Sequence, residues 1–528
     1  MKDRPDKRKQ NWSPAEHGTS EKALQRRVAR GLTWMLVDSW GSQLLSLVFF
    51  VILARQLSEA DFGLAALAIV FIHFAHLLVD QGLGDVLVQR PAISRRQIDT
   101  VFWASVAGSL VLTAAALALA GPTARVLGQP QLEPVLQVLS VTFVFAAVTH
   151  VQMAMLRREM RFRELAVRRL LATLGAGLLG IILAFAGAGV WALVAQQTAS
   201  VVISAVVLWT VSPWRPQRQF SVSDYRELIP FGRHLMGGEM LHFASRNVDN
   251  LLIGTFLGTV ALGLYSVAYK VLDTGTQLMI NAAHKLALPA FSRLQLQRER
   301  LSRAYVRVTR ALALVTLPGY VGLALVSYEA IVIVFGERWA PAAAPAALLF
   351  LAGPVLAVQL LSGSLLNAVG RPDVTFRIRL ITTLVNVAGF LIAVIVFGDI
   401  TAVAAAYTIR AYALLPLILY WLRRYAAVPW SAHLSELRTP LVATAVMAVA
   451  VLAVKLALME SVPLFVLLAV EVAVGLAVYA VVVLALDRPL VAEVRAFMAS
   501  ALPGQRISAA LSGSDVDGVA DGPTAVDA

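Results

Sequence analysis

The chain has 528 residues, of which 58% are hydrophobic, with a mean hydropathy of +0.73 and a formal net charge of +13. A soluble domain cannot enclose that much apolar surface. The sequence contains no cysteine, which excludes disulfides, thiolate metal sites and cysteine nucleophiles.

Runs of about 20 apolar residues recur from end to end, each long enough to cross a hydrocarbon core about 30 Å thick. In lipid the backbone must satisfy its own polar groups, so such runs read as helices, and the alternating ten-residue strands of a β-barrel are missing. The fold class read from the sequence is an all-α, polytopic membrane protein with about fourteen transmembrane helices. Residues 1–30 form a basic polar tail, expected to be mostly disordered. It is too long for the n-region of a signal peptide, and no small-residue cleavage site follows the first apolar run. Apolar segments near 31–54, 62–85, 98–120, 133–156, 164–186 and 189–211 make a first lobe, 31–211. A linker at 212–228 leads to a second lobe, 229–424, with segments near 229–255, 260–284, 306–335, 342–368, 374–397 and 400–422. The ninth segment is expected to kink at Pro318. A further pair near 440–458 and 462–486 precedes a tail, 487–528, read as largely disordered.

Charge placement tests this map. Of the 45 Lys and Arg residues, 38 fall in every second inter-helix segment and three in the opposite set. Cytoplasmic loops carry such an excess, so both termini are predicted to be cytoplasmic and the number of spans even. This accounts for the pI of about 10.2 without nucleic acid, which is not expected as a partner. Arginine over lysine and abundant alanine point to a bacterium. No inter-helix loop reaches about 50 residues, so there is no room for a large catalytic module, and P-loop, HEXXH and GXSXG patterns are missing. No enzymatic activity, metal or cofactor is expected.

The stretch ILARQLSEADFGL at 52–64 aligns without gaps on LIGTFLGTVALGL at 252–264, an offset of 200 residues. Leu57 meets Leu257, Gly63 meets Gly263, Leu64 meets Leu264 and Ala68 meets Ala268. The copies span helices one–two and seven–eight, dividing the core into two six-helix halves in parallel orientation, an arrangement typical of transporters.

Ionisable groups inside membrane segments usually face a partner or a wet cavity. The seventh helix carries Glu239, His242, Arg246 and Asp249 with Asn250, at steps of three and four that share one face. The second carries His73, His76 and Asp80; the eighth Lys270 and Asp273, then Asn281 and His284; the first Asp38, Ser42 and Gln43; the twelfth Arg410. The bland reading is mutual neutralisation, with Arg246 beside Asp249 or Asn250 and Lys270 beside Asp273. Concentration on matching helices of both halves favours a hydrated central cavity instead. Arg55 is expected to snorkel to the interface, and Lys455 and Glu471 are placed to pair in the last two helices.

The sequence resembles the polysaccharide-transporter branch, the Wzx-like lipopolysaccharide and exopolysaccharide flippases, of the multidrug/oligosaccharidyl-lipid/polysaccharide exporter superfamily. The resemblance is carried by ILARQLSEADFGLAALA (52–68), LVDQGLGDVLVQR (78–90), SRNVDNLLIGTFLGTVALGLYSVAYKV (245–271), LPAFSRLQ (288–295) and VFGERWAPAAAPAALLFLAG (334–353). It implies two six-helix lobes forming a V, with the C-terminal helix pair added, and alternating access by rocking of the lobes. The implied cargo is a saccharide joined through pyrophosphate to a polyprenyl lipid, moved from the inner to the outer leaflet of a bacterial inner membrane. Polysaccharide polymerases or glycosyltransferases are the natural partners beside the lipid-linked oligosaccharide and membrane lipids. Arg246 and Lys270 are the foremost candidates for the pyrophosphate, with Arg410 and Asn250 behind them. Asp249, Asp273, Glu239, His242, Asp38, His73, His76 and Asp80 are candidates for the coupling ion or the cavity wall. Competing readings are a multidrug exporter, a peptidoglycan-precursor flippase, a membrane-embedded sugar polymerase or ligase, and a non-transporting scaffold.

Overall fold

The computed structural model describes residues 11–12, 40–80, 82–90, 92–279, 287 and 290–486. Asp38, Asn281, His284 and most of both tails lie outside these residues. Within the N-terminal tail, Asn11–Trp12 pairs antiparallel with Ile93–Ser94. All other regular structure among the described residues is helical.

The first half runs α1 (Ser42–Gln56), α2 (Glu59–Asp80), a short α3 (Leu83–Gln89), α4 (Arg95–Val126), α5 (Leu132–Ser140), α6 (Thr142–Arg158), α7 (Phe162–Phe185) and α8 (Val190–Val211). The second runs α9 (Val222–Phe256), α10 (Gly258–Met279), α11 (Arg298–Leu325), α12 (Ser327–Phe335), a 3-10 turn at Glu337–Ala342, α13 (Ala343–Ala368), α14 (Pro372–Ile392) with a π-helical end at Ala393–Phe397, and α15 (Ile400–Ala426). The pair α16 (Trp430–Leu458) and α17 (Leu464–Leu486) follows and packs on α11.

Among the described residues, eleven stretches are long and apolar enough to cross a membrane, with α5–α6 forming one and the 3-10 turn with α13 another. Three expected segments are not among them. Helix α1 has 15 described residues, while α9 and α10 are interrupted by ionisable and amide side chains. Helix α11 continues through Pro318 to Leu325, and α12 begins after a break at Val326. Neighbouring helices can tolerate a proline inside a membrane span by satisfying the freed backbone groups.

Local sequence fixes the helix starts. In SEAD, Ser58 and Asp61 cap α2 reciprocally: Asp61 N donates to Ser58 Oγ at 3.2 Å, and Ser58 N to Asp61 Oδ2 at 3.1 Å. Ser94 and Gln97 form the same box at the start of α4.

For description, the end holding the α1–α2 and α9–α10 turns is called upper. There α2 and α10 pack backbone to backbone. A Cβ added at Gly63 would lie 1.7 Å from the Thr259 carbonyl oxygen, and one at Gly263 would lie 1.9 Å from that of Glu59. The two glycines, and the two residues they touch, are each 200 positions apart, so the internal repeat appears as a reciprocal contact. A single apolar core spans both halves at this end, including Phe62, Leu67, Leu262, Tyr265 and Trp339. At the lower end each half has its own core, around Phe102 and Met155 in the first and around Phe291 and Tyr305 in the second.

A hydrogen-bonded latch reinforces the upper junction. Arg55, at the end of α1, donates from Nε to Val334 O at 2.9 Å and from Nη2 to Ile333 O. In return Arg338 donates from Nη1 to Leu57 O at 3.1 Å, and Trp339 from Nε1 to Ala54 O at 2.9 Å. Each half thus supplies donors to carbonyls that end a helix in the other. Arg55 is exposed at the end of α1 and finds its partners in these carbonyls.

Candidate substrate cavity

Two adjoining chambers lie below this junction. The first, of about 540 Å³, is lined by His73 and His76 from α2, His150 from α6, Glu239, Arg246 and Asn250 from α9, and Tyr269 and Asp273 from α10. The second, of about 380 Å³, lies within the second half. It shares Arg246, Tyr269 and Asp273 and adds Gln359 and Asn367 from α13, Arg379 and Asn386 from α14, and Tyr407 and Arg410 from α15.

Arg246 stands in the wall common to both. Its Nη2 donates to Asp273 Oδ1 at 2.6 Å across the α9–α10 contact. The expected pairing with Asp249 or Asn250 does not form. Asp249 is buried, accepting from Tyr265 Oη at 2.9 Å and from the Asn250 backbone at 2.8 Å, and it lines neither chamber. Asn250 does face the first chamber with Glu239 and Arg246, so the polar face of α9 is divided between cavity and core.

Lys270 also departs from expectation. Its ammonium reaches Ser46 Oγ at 3.5 Å and lies 5.9 Å from the centre of the Phe50 ring, so it faces α1 and lines neither chamber. One turn on, Thr274 accepts from Gln43 Nε2 at 3.2 Å, tying α1 to α10 a second time.

Arg410 is 5% exposed, and its guanidinium lies 4.7 Å from the centre of the Tyr407 ring. Tyr407 in turn meets Tyr269 edge-on at 6.3 Å. His76 is 3.2 Å from Thr142 Oγ1 and packs edge-on to Phe143. The side chains of His242 and Asp80, like Asp38 as a whole, lie outside the described residues.

The structure adds His150, Tyr269, Tyr407, Arg379 and the amides Gln359, Asn367 and Asn386 to the cavity. A sequence signal existed for the amides: each is a polar residue within or ending a strongly apolar run. Away from the chambers, Lys455 donates to Glu329 Oε2 at 2.9 Å and to Leu325 O at 2.8 Å. The expected Lys455–Glu471 bond is not formed, and both carboxylate oxygens of fully buried Glu471 lack a hydrogen-bond partner among the described residues. No group of three or more His, Asp or Glu among the described residues could hold a metal ion.

A family described as "Polysaccharide biosynthesis protein" matches residues 52–344. The succinoglycan biosynthesis transport protein ExoT of Rhizobium meliloti is 28% identical over 60% of this chain and 64% of its own length. This chain therefore spans somewhat under two thirds of that relative. The teichuronic acid biosynthesis protein TuaB of Bacillus subtilis is 25% identical over 82% of this chain and 90% of its own. The lipopolysaccharide biosynthesis protein WzxC of Escherichia coli is 25% identical over 70% and 76%.

Among solved structures, the lipid II flippase MurJ in an inward closed conformation superimposes with a TM-score of 0.70 at 14% identity, covering 86% of this chain and 99% of that one. An inward-facing multidrug resistance transporter of the MATE family gives 0.54 at 17% identity, covering 78% and 96%. Fold and sequence match agree: this multi-pass membrane protein has the fold of the solved flippase and multidrug-transporter structures and belongs to the family described as "Polysaccharide biosynthesis protein".

Proposed function

We propose that the chain moves saccharide units, joined through pyrophosphate to a polyprenyl lipid, from the inner to the outer leaflet of a bacterial cytoplasmic membrane for cell-surface polysaccharide or lipopolysaccharide assembly. In this reading fourteen helices span the membrane and both termini are cytoplasmic. The upper end faces outward, and the two six-helix lobes form a V whose mouth is at the lower, cytoplasmic end. Supporting the V, one core joins the lobes above and separate cores hold them below. Polymerase or glycosyltransferase partners would act before and after the transfer.

The observation that carries the reading is Arg246, a guanidinium in the shared wall of two chambers inside a membrane-spanning bundle. Its forked donors suit a pyrophosphate, and its side chain is half-exposed to the cavity. Asp273 accepts from one arm of the fork, Nη2, at 2.6 Å. A proton or cation on Asp273 would release Arg246 to the pyrophosphate, coupling an ion to cargo uptake. Asn250 and Arg410 flank this point, Lys270 adds positive charge from the α1 side, and Glu239, His73 and His76 offer further ion sites. The polyprenyl tail remains in lipid while the polar head crosses between the lobes.

The test is depletion of the protein in its native host, with polyprenyl-pyrophosphate saccharides quantified by mass spectrometry. Accumulation of complete lipid-linked units with loss of surface polymer supports the reading; unchanged intermediates with normal polymer overturn it.

A second reading, transport of the lipid-linked peptidoglycan precursor, is favoured by the α16–α17 pair, which completes a count of fourteen. That cargo also carries a pyrophosphate on a polyprenyl chain, so the same cavity chemistry serves it. The identity of the accumulating lipid separates the two. Export of hydrophobic cations suits the cavity less well, since Arg379 and Arg410 face it without a carboxylate partner among the described residues.

A further inference from the structure

We propose that the second chamber is the seat of the saccharide and is built for an acidic sugar, one bearing a carboxylate. This rests on the flippase reading and assigns one part of the cargo to one part of the cavity.

The first ground is charge. Arg246 has Asp273 as its partner, but Arg379 and Arg410 line the chamber with no carboxylate bonded to them among the described residues. A charge in the membrane interior is expensive without a counter-ion, and Arg410 is nearly fully buried. A bound anion would relieve that cost.

The second ground separates the sugar from the lipid's phosphates. Three residues of this wall each keep one buried polar atom without a partner: Gln359 Nε2, Asn386 Oδ1 and Arg410 Nε. Two of these atoms are donors and one is an acceptor. An ionised pyrophosphate only accepts hydrogen bonds and cannot satisfy Asn386 Oδ1, whereas a sugar hydroxyl both donates and accepts. A buried polar group left unmet is costly, so a hydroxylated ligand entering the chamber recovers free energy that phosphate cannot. All three atoms belong to residues that line the chamber.

The third ground is space. At about 380 Å³ the chamber falls within the range of small-molecule pockets, about 300–1,000 Å³. It reaches Asn367 and Thr375 at the α13–α14 turn, so a head group entering from the lower end meets it before Arg246.

The experiment uses the purified full-length protein in nanodiscs and three soluble probes. These are a hexuronate-containing oligosaccharide, the same oligosaccharide with its carboxyls reduced to alcohols, and inorganic pyrophosphate. The acidic oligosaccharide is expected to bind at least about tenfold more tightly than the reduced one. Arg410→Gln and Asn386→Leu should each weaken it by about tenfold, and Asn386→Leu should leave pyrophosphate binding nearly unchanged. Asn386→Leu replaces an unsatisfied amide by an apolar group, and unliganded thermal stability checks that both variants fold. Equal binding of the two oligosaccharides, or no binding of either, overturns the proposal. So does loss of pyrophosphate binding in Asn386→Leu, which would give the chamber to the lipid's phosphates. Flipping in the native host is measured separately, so failure here leaves the transport reading standing on its own test.

Discussion

Arg246 and Asp273 lie 27 residues apart on adjacent helices and meet at 2.6 Å in the wall between two chambers. Because the pair is open to the cavity, separating it costs on the order of 1 kcal/mol, small enough for an incoming anion to replace the carboxylate. Arg246→Ala is expected to reduce transport at least about tenfold while the protein still reaches the membrane. Arg246→Lys should restore little, since an ammonium lacks the planar fork. The readout is the ratio of lipid-linked intermediate to surface polymer, and full rescue by lysine would refute the requirement for a fork.

Asp273→Asn should have a different effect. The guanidinium would remain available to pyrophosphate but lose its ion-dependent release. Pyrophosphate affinity is expected to rise and its dependence on pH or sodium to flatten. Binding titrations across pH and sodium concentration check this, and an unchanged ion dependence would place the coupling group elsewhere.

The glycine crossing at the upper end gives a steric prediction. Gly63→Val would drive a side chain into the backbone of residue 259, and Gly263→Val into that of residue 59. Neither backbone can yield as a flexible side-chain tip could. Both variants should splay the upper end. The cysteine-free sequence makes this simple to measure: Ala60→Cys should react faster with a membrane-impermeant thiol reagent when combined with Gly63→Val. Equal labelling rates would show that the junction relaxes in another way.

Trp339 is fully buried and donates to Ala54 O. Trp339→Phe keeps most of the apolar volume but strands that carbonyl, with an expected loss of about 1–3 kcal/mol. Thermal unfolding in nanodiscs measures it, and no loss would mean that water or Arg338 takes over the carbonyl.

Lys455 neutralises Glu329, which is 3% exposed at its side chain, while Glu471 lies buried nearby. Lys455→Met should destabilise the C-terminal pair by about 3–5 kcal/mol, because it leaves a buried carboxylate uncompensated. Glu471→Gln should be tolerated, and Glu329→Gln should rescue Lys455→Met. Comparing the unfolding temperatures of the three variants decides the point.

Most of the helical map was legible because eleven stretches among the described residues are long apolar runs, and the α2–α10 crossing because Gly63 and Gly263 recur at a fixed offset. What could not be read was which neighbour each charge chooses. Spacing along a helix offered Asp249 to Arg246, but Tyr265 Oη takes Asp249 and leaves Arg246 to Asp273 on α10. Lys270 likewise turns to α1 because the helices cross there. These choices depend on inter-helix angles that no local pattern encodes. His150 and Tyr407 escaped for a related reason: a lone polar or aromatic residue gives no sign of facing a cavity until its helix is docked.

The Gly63–Gly263 crossing has the geometry of an isologous interface, the self-complementary contact found in two-fold dimers, here enclosed in one chain. In such a contact each partner supplies both the recess and the surface that fills it. A change to the shared motif in one half therefore alters its fit to the unchanged motif of the other. The two halves are free to diverge where they line the chambers, but at the crossing they must change together. The chain thus keeps one symmetric crossing between two halves whose chamber-facing residues are unlike.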